Sequence, residues 1–177
     1  MKKKGTKLTI WSPASKETEC PVARALSIVG DRWTVLVLRE LTMGNRRFEE
    51  IQAQTGATPQ MLATRLKKLE SDRLVERRPY STRPLRHDYY LTEAGDAFYP
   101  VLLALRSWGE TWLKSEKEER AIHYTHIRCG KDPGLGPVCQ NCGEEMRRDQ
   151  LVSRFSEAFA RERGAKKAAF KAARAQN

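Results

Sequence analysis

The residues best suited to chemistry lie in two short runs, His126-Ile-Arg-Cys129-Gly130 and Cys139-Gln-Asn-Cys142-Gly143. Each run sets two soft ligands three residues apart and follows them with a glycine, which lets the backbone turn toward a tetrahedral ion. Three thiolates and one imidazole favour Zn²⁺ over harder ions, so a structural zinc held by His126, Cys129, Cys139 and Cys142 is expected. His123 competes with His126 for the fourth position. Pro133, Gly134 and Gly136 lie between the runs, so this segment is expected to lack a core of its own and to draw folding energy from the metal. A metal-free loop and a redox pair are the competing readings. A thioredoxin-like enzyme built on Cys139 and Cys142 would need a βαβ setting, which the pattern does not supply. No Ser/His/Asp set, glycine-rich phosphate loop or paired-carboxylate site stands out, and the chain reads as a non-enzyme.

Cys20 stands apart, immediately before Pro21 at the start of a helical pattern, with Arg24 one turn along. A helix N-terminus and a nearby cation both favour a thiolate, which makes Cys20 a candidate redox sensor. The competing reading is a small, half-buried apolar residue.

The elements around these residues follow from periodicity and caps. Val22, Leu26 and Val29 share a helical face that stops at Gly30-Asp31. Asp31 caps a second helix, Arg32 to about Leu41, apolar almost all round and therefore central. A third helix runs from about Arg46 to Gln54 and ends at Thr55-Gly56. Thr58-Pro59 opens a fourth, with Leu62, Leu66 and Leu69 as its core stripe and Met61, Thr64, Arg65 and Lys68 opposite. Two helices joined by so short a turn match a helix-turn-helix. Leu74–Arg78 and His87–Leu91 read as strands flanking a basic, proline-punctuated loop, Pro79–Arg86, so a winged helix-turn-helix is expected. Thr92 caps one long helix with a stripe of Phe98, Val101, Leu102, Leu105, Trp108 and Trp112, expected to form a dimer interface; packing on the parent core is the alternative. After Met146 a helical stripe of Leu151, Val152, Phe155, Ala158 and Phe159 leads into a basic tract that either touches phosphates or is a solvated tail. The fold class is thus mostly α with a small β-hairpin wing, plus a Cys-rich knuckle and a C-terminal helix. The expected units are a basic arm (1–19), a DNA-binding and dimerisation domain (20–116), the knuckle (117–146) and the basic tail (147–177).

The chain has 177 residues and a formal net charge of +11. No apolar run exceeds the nine residues from Ala97 to Leu105, which excludes a transmembrane helix; the few cysteines and the absent leader pattern point to the cytoplasm. The excess is uneven: between Arg65 and Arg86 eight basic residues face three acidic ones, inside a segment otherwise near balance. Nucleic acid is the expected partner.

Cys20-Pro21-Val22, Gly30-Asp31-Arg32-Trp33, Leu38-Arg39-Glu40-Leu41, Arg47-Phe48, Leu62-Ala63-Thr64-Arg65-Leu66, Leu69-Glu70, Leu74-Val75-Glu76-Arg77, Tyr90-Leu91-Thr92-Glu93-Ala94-Gly95 and Trp108-Gly109 together resemble the HxlR-type winged-helix transcription regulators, relatives of the MarR family. The resemblance spans Cys20 to about Trp112. Arg73 stands where such proteins usually carry glycine, and Gln60-Met61 replaces a stretch that is often basic. The resemblance implies a homodimeric regulator, commonly a repressor, on an inverted-repeat operator in double-stranded DNA. It also implies that a cysteine at the position of Cys20 answers oxidants or electrophiles. From side-chain chemistry, Thr58, Gln60, Met61, Thr64 and Arg65 are placed for base edges, and Lys68, Arg83 and Arg86 for phosphates or a minor groove. The alternatives are a thiol-independent regulator controlled by a small molecule, or a winged-helix module that docks RNA or protein.

Overall fold

The computed structural model describes residues 18–176, so all of the expected basic arm but its last two residues lies outside them. α1 (Pro21–Val29) stops at Gly30, and the Asp31 carboxylate then accepts the N–H groups of Trp33 and Thr34 to cap α2 (Arg32–Thr42). α2 is central, with Val37, Leu38 and Leu41 wholly buried. α3 (Phe48–Thr55) and α4 (Pro59–Ser71) pack against it through Ile51, Leu62, Leu66 and Leu69. β1 (Val75–Thr82) and β2 (Leu85–Leu91) form the antiparallel wing. The expected strands were shorter. Pairing instead runs to the tip, because a bulge between Pro79 and Ser81 falls where proline cannot donate to the ladder.

The turn between α4 and β1 is held from a distance. Thr92 donates its hydroxyl to the Arg73 carbonyl (2.6 Å) and its N–H to that of Leu74 (3.0 Å). Thr92 also caps α5 (Glu93–Asp96), in which a Cβ on Gly95 would sit 2.1 Å from the Leu74 oxygen. Only glycine permits that approach. The single long helix expected from Thr92 is in fact two, because Pro100 in the first turn of α6 (Tyr99–Trp112) can neither bond back nor clear the preceding turn.

β3 (Ile122–His126) pairs antiparallel with β4 (Leu151–Phe155), and α7 (Glu157–Ala175) follows. The stretch from Leu151 was expected to be helical. It is a strand because β3 offers its backbone a partner, residue for residue from His126 opposite Leu151 to Ile122 opposite Phe155. The Cys-rich segment is also not coreless: Cys139 and Met146 pack with Tyr99 and Leu103 of α6 in a second hydrophobic cluster.

The basic tract is no frayed tail but part of α7, docked on α3. Glu40, fully buried, accepts from Arg39 (2.6 and 3.0 Å), from the Asn45 amide (2.6 Å) and from Arg163 of α7 (2.7 and 3.0 Å). Gln54 of α3 donates to the Arg163 carbonyl (3.0 Å), and Arg174 pairs with Glu49. Burial raises the pKa of Glu40, but the hydrogen bonds and charges of Arg163 and Arg39 outweigh it and hold the carboxyl below its ordinary 4.5. A depressed folded pKa gives stability that is complete above the unfolded value and is lost as pH falls through the folded one.

Two outcomes follow. Arg163→Ala should cost about 3 kcal/mol at neutral pH, the low end for halving a buried pair because Arg39 and Asn45 remain. Urea denaturation across a pH series should show the gap from wild type narrowing below the unfolded carboxylate range. Separately, Arg73 adopts φ 59°. Arg73→Gly should raise stability by about 0.5–1 kcal/mol, the left-handed strain relieved less the added freedom of the unfolded chain.

Candidate nucleic-acid interface and metal centre

α4 is the second helix of the helix-turn-helix, reached through Gly56 at φ 72°. At 100° per residue its leucines take the inner face, which leaves Gln60, Ala63, Thr64 and Lys67 outward, and all four are exposed. The expected residues divide on this geometry. Thr58 and Gln60 are exposed at the N-terminus, where the Thr58 hydroxyl accepts the Met61 N–H (3.3 Å). Thr64 is exposed and donates to the Gln60 carbonyl (2.9 Å). Met61 lies on the flank and packs against the core. Arg65, on the same flank, reaches Asp31 (3.2 Å), and Lys68 reaches Asp72 (2.9 Å). Ala63 and Lys67 were missed; the i, i+3, i+4, i+7 series beginning at Gln60 was the available signal.

The wing carries Arg83 and Arg86 exposed at its tip. Its middle is fixed to the start of α3, where Arg47 lies over the Tyr80 ring (4.7 Å) and faces Asp88 (3.8 Å). Asp31 has a double duty. Burial raises its pKa, but hydrogen bonds from Thr34 and Trp33 and the charge of Arg65 prevail and lower it.

The α6 stripe is split by rotation. Val101, Leu105, Trp108 and Trp112 are exposed, Phe98 is half-buried, and Leu102 turns to the second cluster. Val22 and Leu26 of α1, both more than half exposed, line one cleft with Val101 and Leu105. Cys20 is exposed at the N-cap of α1. Arg24, expected beside its thiol, is instead bound to Glu19 (3.0 Å) and to the Thr18 carbonyl.

His126, Cys129, Cys139 and Cys142 converge, their ligand atoms all within 4.8 Å of one another. Cys129 Sγ lies 3.7 Å from Cys139 Sγ; His126 Nδ1 lies 3.5 Å from Cys129 Sγ and 3.3 Å from Cys142 Sγ. A tetrahedral ion with Zn–S near 2.3 Å and Zn–N near 2.0 Å sets such edges at about 3.8 and about 3.5 Å. The spacing fits a metal and is far too long for a disulfide. Both knuckle glycines are left-handed, Gly130 at φ 67° and Gly143 at φ 72°, which turns the N–H-bearing backbone around the site. Burial raises Cys139, but N–H groups of Asn141 and Cys142 and the sulfurs of Cys142 and Cys129 bring it down to about 6; burial and its neighbours push Cys142 up to about 11. His123 instead contacts Glu119 (3.0 Å).

Comparison with known proteins gives a consistent result. The model of the HxlR-like helix-turn-helix family matches residues 28–117. An uncharacterized HTH-type transcriptional regulator of Mycobacterium tuberculosis is 42% identical over 127 residues, 71% of this chain and 78% of that protein. One from Synechocystis is 36% identical over 104 residues, 58% of this chain and 77% of that protein. Among solved structures, PA1607, named as a candidate transcription factor, aligns with a TM-score of 0.61 at 30% identity, covering 80% of this chain and 97% of that one.

The Asp31 geometry yields a stability test. Asp31→Ala removes a cap and an ion pair and should cost about 1–2 kcal/mol, whereas Arg65→Ala, which removes one partly exposed pair, should cost under about 1 kcal/mol. Urea unfolding of the two variants measures both.

Proposed function

The chain belongs to the HxlR-like helix-turn-helix family of transcriptional regulators, which are not enzymes, and from that premise we propose that it is a homodimeric repressor of an inverted-repeat DNA operator. The observation that carries the DNA reading is the exposed, leucine-free face of α4 beside a wing whose tip presents Arg83 and Arg86. Thr58, Gln60 and Thr64 meet base edges, and Arg65 joins them by leaving Asp31 for guanine; Met61 supplies apolar contact at the flank. Lys67, Lys68, Arg83 and Arg86 serve phosphates or the minor groove. Footprinting on DNA beside its own gene tests the reading. Gln60→Ala and Arg65→Ala should each lose about 1–3 kcal/mol of operator binding and relax sequence choice, while Arg83→Ala and Arg86→Ala should weaken all DNA alike and each flatten the salt slope by about 1. A preference for single-stranded RNA over the inverted repeat would overturn it.

Two copies related by a twofold would cover Val22, Leu26, Val101, Leu105, Trp108 and Trp112, which are too many large apolar groups for one surface to leave in water. Sedimentation of Leu105→Glu should show monomers where wild type shows dimers. Cys20 caps the helix that borders this face, so a modified thiol there would act on subunit packing and hence on DNA binding. Operator binding titrated with a mild thiol oxidant should respond in wild type and not in Cys20→Ser; equal responses would end the sensor reading.

The four-ligand cluster is a structural zinc site, supported by edges that match a tetrahedral ion. The ion would hold the two knuckles together and lower the thiol pKa values of its ligands. Protein purified without chelator should contain zinc by elemental analysis; His126→Ala should lose it and His123→Ala should keep it.

A further inference from the structure

The wing runs out past the body that supports it. Along β2, Leu91, Tyr89, His87 and Leu85 alternate onto one face of the strand. Leu91 and Tyr89 pack against the core, His87 is half-buried, and Leu85, at the far end of the series, is 64% exposed. It stands opposite Thr82, beside the turn Arg83-Pro84 that closes the hairpin. All five residues from Thr82 to Arg86 are exposed.

The cations of the wing differ along its length. Arg77 and Arg78, nearer the body, are paired with Glu70 and Glu76. Among the described residues Arg83 and Arg86 form no ion pair, and the nearest carboxylate along β2, Asp88, faces Arg47 (3.8 Å). A large apolar side chain held between two unanswered cations is out of place in water. It suits a polyanion whose interior is apolar, and stacked base pairs between phosphate walls are such a partner. Paired strands stand about 4.8 Å apart and the minor groove is about 6 Å wide, so only the tip of this hairpin can enter it.

We propose that Leu85 is a wedge. The wing tip enters the minor groove, Arg83 and Arg86 hold the flanking phosphates, and the Leu85 side chain parts two base pairs and kinks the duplex toward its major groove. Base pairs part most cheaply at a pyrimidine–purine step, so each wing adds a preference for such a step where no hydrogen bond reads a base. The proposal rests on the reading of the chain as a duplex-DNA binder and assigns the part its wing plays there.

Gel mobility of the full chain on fragments carrying the footprinted operator at successive positions measures the bend. At saturating protein, wild type should bend the operator by at least about 20° for each wing engaged, the low end for a side-chain wedge. Leu85→Ala should lose at least about half of that bend, and Leu85→Met, which keeps an apolar wedge, should retain it. Leu85 lies outside the core, so neither substitution threatens folding. Fragments with TA at the step under the wing should be bound several-fold more tightly than fragments with AA there by wild type, and equally by Leu85→Ala. A straight operator in the wild-type complex, equal bends with Leu85→Ala, or no preference of wild type for TA would each overturn the wedge and leave the DNA reading intact. Absence of duplex binding would overturn both.

Discussion

The arrangement turns on one buried carboxylate. Glu40 sits near the C-terminus of the central helix and gathers Arg39 from its own helix, Asn45 from the following turn and Arg163 from a helix more than a hundred residues later. A lone carboxylate at that depth would be protonated or would disrupt the core. With two guanidiniums and an amide around it, the same group fixes where α2 ends, how the turn into α3 is made and where α7 lies. The helix-turn-helix is therefore braced from behind by the C-terminal helix, and the orientation of α3, against which α4 is set, depends on that brace.

The metal cluster supplies the second constraint. Its ligands come from the end of β3 and from two glycine turns, and the cluster rests on Met146, Tyr99 and Leu103. α6 consequently has two apolar faces with different owners. Tyr99 and Leu103 are covered by the Cys-rich segment, while Val101, Leu105 and Trp108 are left outward. Anything that loosens the cluster loosens the inner face of the helix whose outer face is the proposed subunit contact.

Local signals made the N-terminal two thirds legible. The caps at Asp31, Thr58 and Thr92, the stop at Gly30 and the Leu62, Leu66, Leu69 spacing are all decided within a few residues of chain, and the structure follows them. The four metal-type ligands were equally legible because their spacing is itself the geometry. Beyond Met146 the sequence was ambiguous for a physical reason. Leu151, Val152 and Phe155 suit a helical stripe as well as a strand, and the choice is made by β3, some thirty residues upstream. The split of the α4 face into outward Lys67 and inward-tied Arg65 was hidden likewise, since it depends on where Asp31 stands.

Charge had the same limit. The basic composition of α7 reads as a solvated tail only if its arginines lack partners, and Arg163 and Arg174 have them on α2 and α3. Counting cations along the chain thus overstates what can meet a phosphate, because Arg163 and Arg174 are each answered by a carboxylate of another helix. The unanswered cations are the informative ones. At the wing tip Arg83 and Arg86 face solvent, where a polyanion can reach them.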